Sequence, residues 1–246
     1  MKLTNKTILV TGASKGIGSA TAEAFAAEGA NIIVHYHTNK AKAEELVHKL
    51  KEMSVKATSV SADIASPQEV TKMFEQIHKS FNGLDVVINN AGVFDEKDNP
   101  NNLEAFHRIF ATNFFGQIDV TRQARKIMST GKIIFISSAH AKLGNGRPSA
   151  IAYSSSKAAL ESYIKNLAKD AAPDILVNAV APGRTLTPMW GDMTDSEKAK
   201  LAADHLTNRW IDPSEIAQAV VFLAKNDSVC GEVLVVDGGM SLKTLG

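Results

Sequence analysis

Seven short runs of consecutive apolar, largely β-branched residues recur along the chain, separated by segments with helical period. This alternation constrains the fold more than any other feature. The runs are Thr7–Val10, Ile32–Val34, Ala57–Val60, Leu84–Ile88, Ile133–Ile136, Ile175–Val180 and Val233–Val236. Their apolar residues are consecutive rather than alternating, which marks strands covered on both faces. Between them, Val70, Met73, Phe74, Ile77 and Phe81 form one apolar stripe at three- and four-residue steps, and Leu160, Ile164, Leu167 and Ala171 form another. Ser66-Pro67 and Asp212-Pro213 each read as an N-cap followed by proline in the first helical turn. Strict strand–helix alternation predicts an α/β, doubly wound fold around a seven-stranded parallel sheet. No linker, repeat or low-complexity stretch interrupts it, so one domain over 1–246 is expected. The segment 184–206, with Pro188, Met189 and Trp190, breaks the rhythm and reads as a lid or binding loop.

Composition narrows the function. With 27 basic against 26 acidic residues, the net charge is +1. No nucleic-acid partner is expected, and the short basic run Arg122 to Lys126 reads as a solvated helix face. No apolar run has membrane-spanning length, and Met1 to Thr7 lacks an apolar leader. Cys230 is the only cysteine, which favours a reducing, cytoplasmic setting. It reads as a buried packing residue.

The first strand leads into Thr11-Gly12-Ala13-Ser14-Lys15-Gly16-Ile17-Gly18 and then a helical run. Glycines between a strand and a helix let backbone amides approach a pyrophosphate at a helix N-terminus. The end of the second strand, His35-Tyr36-His37-Thr38-Asn39, carries no carboxylate to select a ribose 2′-hydroxyl. Lys15 could pair with a 2′-phosphate, and His37, Thr38 and Asn39 could donate to it, so NADP(H) is preferred over NAD(H). His35 and His37 share a strand face, but no third ligand is in view and no metal site is expected.

Further signals lie at strand ends: Asn89-Asn90-Ala91-Gly92, then Ser137-Ser138, then Tyr153-Ser154-Ser155-Ser156-Lys157 opening a helix. Spacing by four places Tyr153 and Lys157 on one helical face. A neighbouring ammonium is expected to lower the phenol's pKa towards the useful range.

Taken together, Thr11 to Gly18, Asp63, Asn89 to Gly92, Asn113, Ser138, Tyr153 with Lys157, Pro182-Gly183 and the closing Val235-Val236-Asp237-Gly238-Gly239 resemble the short-chain dehydrogenase/reductase family, from Lys6 to Met240. The resemblance implies a Rossmann fold and carbonyl–alcohol interconversion on a small-molecule substrate. Tyr153 would be the general acid or base, and Lys157 would lower its pKa and hold the nicotinamide ribose. Ser138 (with Ser137 as the alternative) would polarise the substrate carbonyl, and Asn113 would hold a relay water. Asp63 and Ile64 would meet the adenine. Asn90, Ala91 and Gly92 would line the adenosine side, with Asn89 tying strands together. Pro182, Gly183 and Thr187 would flank the nicotinamide, and 184–206 would be the substrate lid, with Met189, Trp190 and His205 available to ligands.

Read alone, Asp63 is a turn residue, Asn113 a helix-terminal polar group and Thr187 an N-cap. The Ser138–Tyr153 segment, with His140, Lys142 and Gly144-Asn145-Gly146, is expected to reshape the pocket wall. Met128-Ser129-Thr130-Gly131-Lys132 and Ala171-Ala172-Pro173-Asp174 are poor in arginine. A 3-oxoacyl-carrier-protein reductase is therefore the second reading, and a non-catalytic dinucleotide sensor the third. The family resemblance further implies a homotetramer.

Overall fold

The computed structural model describes residues 1–81, 83–95, 97–142 and 148–243. Gly144-Asn145-Gly146 lie outside the described residues. The seven expected strands all form, as β1 (Thr7–Val10), β2 (Asn31–Tyr36), β3 (Ala57–Ser61), β4 (Val86–Asn89), β5 (Gly131–Ile136), β6 (Ile175–Pro182) and β7 (Val233–Val236). They pair in parallel in the order β3-β2-β1-β4-β5-β6-β7.

Alternate residues of each strand feed opposite faces. Ile8 and Val10 of β1 join α1 (Gly16–Ala27), α2 (Lys40–Glu52) and α8 (Pro213–Lys225) on one side. Leu9 joins α3 (Pro67–Ser80), α5 (Gln117–Arg125) and α6 (Ile151–Ala171) on the other. Both strand faces are apolar because both are roofed by helices, which is why the runs are continuous. Ser66 accepts from the Glu69 amide and Asp212 from the Ser214 amide, so both expected caps form.

The chain order reverses direction at β1, between β2 and β4, and opens a crevice at the strands' C-terminal ends. On the far side of that crevice, α4 (Leu103–Phe110) runs through a π-helical segment, Ala111–Gly116, into α5. Helical period alone does not reveal such a wide turn, and π-bulges concentrate at functional sites. The remaining helix, α7 (Asp195–Ala202), lies inside the 184–206 segment.

Two expectations are corrected at this level. Cys230 is exposed, because it falls in the turn between α8 and β7 rather than within either. Asn89 donates to the Thr121 hydroxyl at 3.0 Å and so ties β4 to helix α5, not strand to strand. No helix among the described residues is long and apolar enough to cross a membrane.

Candidate active site

The crevice is held shut at its base by Thr11. Its hydroxyl accepts from the amides of Asn90 and Ala91, at 2.9 and 3.0 Å, while the Asn90 side chain donates to the carbonyls of Thr11 and Gly12. The glycine loop and the Asn90-Ala91-Gly92 turn are thereby locked together. A Cβ on Gly12 would lie 2.9 Å from Ala91 Cα, and one on Gly18 would lie 2.4 Å from the Gly12 carbonyl. Gly12 and Gly16 also have positive φ, near +61° and +59°. Lys15 is the N-cap residue of α1 and makes no side-chain cap bond, which leaves the first-turn amides of Gly16, Ile17 and Gly18 facing outward. This cradle of bare backbone at a helix N-terminus fits a pyrophosphate.

Sequence reading missed the residue that braces this loop. His35 is buried; its Nδ1 accepts from the Gly12 amide at 3.0 Å and its Nε2 meets the Ala62 carbonyl at 3.0 Å. Those contacts require the neutral Nε2–H tautomer. Burial pushes its pKa down to about 4, and the repelling His37 adds to the fall against the Ala62 bond. Lys15 in the glycine loop and His37 and Thr38 just after β2 are exposed, and among the described residues Lys15 makes no ion pair. Asn39 caps α2 by accepting from the Lys42 amide at 3.3 Å. Asp63 closes a turn by accepting from the Ala65 amide at 2.9 Å. Ile64 is buried, with its carbonyl 2.6 Å from where a Gly116 Cβ would stand. Thr187 sits over the glycine loop, 3.3 Å from a Cβ built on Gly16, and makes no cap bond of its own. Pro182 ends β6 beside Val236, and Gly183 packs so tightly on Asp237 that a Cβ there would lie 2.8 Å from Asp237 Cα.

Helix α6 carries Tyr153 and Lys157 one turn apart. The Lys157 ammonium is buried, donates to the Ile136 carbonyl at 2.7 Å and stands 5.9 Å from the Tyr153 ring centre. Burial lowers its pKa to about 8. Gly92 faces it: a Cβ there would lie 3.7 Å from Nζ and 3.2 Å from Asn113 Oδ1. The expected lowering of the Tyr153 pKa by Lys157 does not occur in this arrangement. Burial raises it, and a hydrogen bond with Ser138 is what opposes the rise. The ammonium gives one N–H to the Ile136 carbonyl and stands over the Tyr153 ring. Burial thus favours the neutral phenol.

The two serines separate cleanly. Ser137 donates to the Glu161 carboxylate at 2.9 Å and points away, whereas Ser138 meets Tyr153 and accepts from the His140 amide at 3.2 Å. Asn113, in the π-helical segment, accepts from the Val93 amide at 2.7 Å and donates to the Val93 carbonyl at 2.9 Å, with Ser156 3.3 Å away. Its side-chain amide is thus a clamp on the chain leaving β4. Gln117, also unremarked in the sequence, donates to the Ala91 carbonyl at 2.8 Å.

The 184–206 segment is built around Arg184, which is ion-paired with Asp204 and lies 5.6 Å over the Trp190 ring. Leu186 and Met189 are exposed. His205 is corrected as a ligand-facing residue: it is fully buried, packed beneath Gly238.

Residues 12–241 match the family model described as enoyl-(acyl carrier protein) reductase. A short-chain dehydrogenase/reductase of Pestalotiopsis microspora is 36% identical over 97% of this chain and 96% of its own length. The 3-oxoacyl-[acyl-carrier-protein] reductase of Aquifex aeolicus is also 36% identical, over 98% of this chain and 99% of its own. Among solved structures, a short chain dehydrogenase from Burkholderia cenocepacia in complex with NADP superposes with a TM-score of 0.90 at 28% identity, covering 98% of this chain and 99% of that one. A bare-backbone cradle at the β1/β4 crevice and a Tyr–Lys turn beside it agree with these matches: the chain belongs to the short-chain dehydrogenase/reductase family, oxidoreductases that interconvert alcohol and carbonyl groups with NAD(P).

Proposed function

We propose that this enzyme is an NADP(H)-dependent reductase of a free small-molecule carbonyl, working in reverse as an alcohol dehydrogenase, with Tyr153 as general acid and base. The observation that carries the reading is the meeting of Ser138 and Tyr153 side chains one helical turn from a buried Lys157. The bound nicotinamide supplies or takes up the hydride. Ser138 and Tyr153 hold the substrate oxygen between two hydroxyls, and Tyr153 delivers its proton there as negative charge develops. Lys157 keeps one N–H on the Ile136 carbonyl and offers its remaining N–H groups to the ribose. Asn113 holds the relay water from its place beside Gly92.

Gly12, Ser14, Gly16, Ile17 and Gly18 hold the pyrophosphate, and Asp63 and Ile64 flank the adenine. Asn90, Ala91 and Gly92 line the adenosine side, while Pro182, Gly183 and Thr187 flank the nicotinamide. Lys15, His37 and Thr38 favour the 2′-phosphate, because nothing acidic stands among them. The 184–206 segment serves as the substrate lid.

A carrier-protein thioester is the second reading, supported by the Aquifex aeolicus relative. It is weakened by the surface such a carrier would meet: Lys132 is buried against Asp227, and Arg125 is paired with Asp170. A non-catalytic sensor ranks below both, since the complete Tyr–Lys–Ser set is retained. The homotetramer rests on the family resemblance, and light scattering would test it. The lone Cys230 suits a cytoplasmic enzyme.

The deciding experiment is a panel of ketones, aldehydes and acetoacetyl thioesters followed by NADPH absorbance, with Tyr153→Phe alongside. Turnover by the wild type and its loss in Tyr153→Phe, with NADPH still bound, is the expected result. Unchanged turnover in that variant removes the assignment, and turnover of thioesters alone favours the second reading.

A further inference from the structure

Helix α6 begins without a cap of its own. Its N-cap residue is Ala150, which has no side-chain acceptor, and no side-chain cap bond forms. The missing acceptor comes from elsewhere in the chain. Asp98, only 1% exposed, accepts from the Ala152 amide through Oδ1 and from the Tyr153 amide through Oδ2, both at 3.0 Å. Two charge-assisted bonds from one buried carboxylate to adjacent amides fix an angle as well as a distance. One of those amides belongs to the residue that carries the proton.

The segment holding Asp98 is itself anchored. Val93 is clamped by Asn113, Asp95 is ion-paired with Arg108 of α4, and the Asp98 amide donates to the Asp95 carbonyl at 3.0 Å. Asp98 is therefore the strut between the helix run bearing Asn113 and the helix bearing Tyr153. A stability cap would be placed more simply at residue 150; a carboxylate reaching 54 and 55 residues along the chain couples two parts of the site.

We propose that Asp98 is a positioning residue for the reaction: through the Tyr153 amide it sets where the phenol stands relative to Ser138. The inference rests on the reading of Tyr153 as the proton donor. Misplacement of a reacting group by about 1 Å costs on the order of a hundredfold in rate.

The test separates positioning from simple capping. In Asp98→Ala, kcat is expected to fall roughly ten- to a hundredfold, while the dissociation constant for NADPH, read by fluorescence, stays unchanged. Asp98→Asn keeps one acceptor but turns an amide donor towards an N–H, so an intermediate loss of kcat is expected if the alanine variant does not fold. The second variant, Asp98→Ala with Ala150→Ser, restores a cap from within the helix. Recovered thermal stability with kcat still low supports positioning; recovered kcat overturns it. Crystal structures of Asp98→Asn and the double variant read the phenol directly, even if the wild type reduces no carbonyl and the functional reading falls. A Tyr153–Ser138 contact that is unmoved in both overturns the proposal, and a displaced one supports it.

Discussion

The ring of Phe94 meets the ring of Tyr153 edge-on, with centroids 5.7 Å apart and planes at 78°. Phe94 is nevertheless 41% exposed, so one face of it is left over for something other than protein. Its position two residues after Gly92, against Tyr153, would make it a wall of the substrate site if Tyr153 is the proposed proton donor. In Phe94→Ala, KM for apolar carbonyl substrates is expected to rise about two- to tenfold, with NADPH affinity unchanged. Steady-state kinetics with one apolar and one small polar ketone check this; equal effects on both would remove Phe94 from the pocket.

Through its bond to the Gly12 amide, His35 is expected to make the glycine loop acid-sensitive. Its folded-state pKa of about 4 lies below the unfolded value of 6.5, so between those values the unfolded chain binds more protons. Stability therefore rises with pH through this window and is lost as pH falls, by up to about 3 kcal/mol for this one group. Denaturant titrations of wild type and His35→Gln from pH 7 to pH 4 should show a steeper decline for the wild type. Parallel declines would mean that the imidazole is not held neutral by the fold.

Much of the architecture was legible because a sheet roofed on both sides demands continuous apolar strands. The strand ends were less so. Asn31 and His35 extend β2, and Gly131 and Lys132 begin β5, yet none of these four residues has a strand signature. The family was legible through joint spacing, and with it the candidate set of Ser138, Tyr153 and Lys157. Its supports were not, since they depend on contacts distant in sequence. Asp98 serves amides more than fifty residues away, His35 reaches back to Gly12, and the π-helical turn that places Asn113 buries only Asn113 and Gly116, neither of them an apolar marker. Local reading sees Asp98 as one more loop acid. The direction of the Tyr153 pKa was not legible for a related reason, because spacing by four residues does not report how deeply the phenol is buried.

Lys15 stands at the start of α1 with no opposing carboxylate at the end of β2. One charge-assisted bond to a 2′-phosphate is worth about 1.5–3 kcal/mol. Lys15→Glu is expected to cut kcat/KM for NADPH roughly ten- to a hundredfold while leaving that for NADH nearly unchanged. Comparison of the two cofactors in wild type and variant is sufficient, and an equal loss with both would assign Lys15 to the shared part of the dinucleotide.

Lys157 carries two pH effects of opposite sign. Burial holds its folded-state pKa at about 8, below the ordinary 10.5. As pH rises through 8 the ammonium is lost in the folded enzyme, and with it the buried positive charge one turn from Tyr153 and one of the N–H donors proposed for the ribose. NADPH-linked turnover should therefore decline above pH 8. Stability moves the other way: between 8 and 10.5 the unfolded chain binds the extra proton, so this group's unfavourable contribution shrinks as pH rises. Denaturation and turnover measured on one sample from pH 7 to pH 10 should diverge, and Lys157→Met should abolish the stability rise while leaving turnover low throughout. If wild-type turnover and stability instead fell together, the loss of activity would reflect unfolding, and the buried ammonium would not be its source.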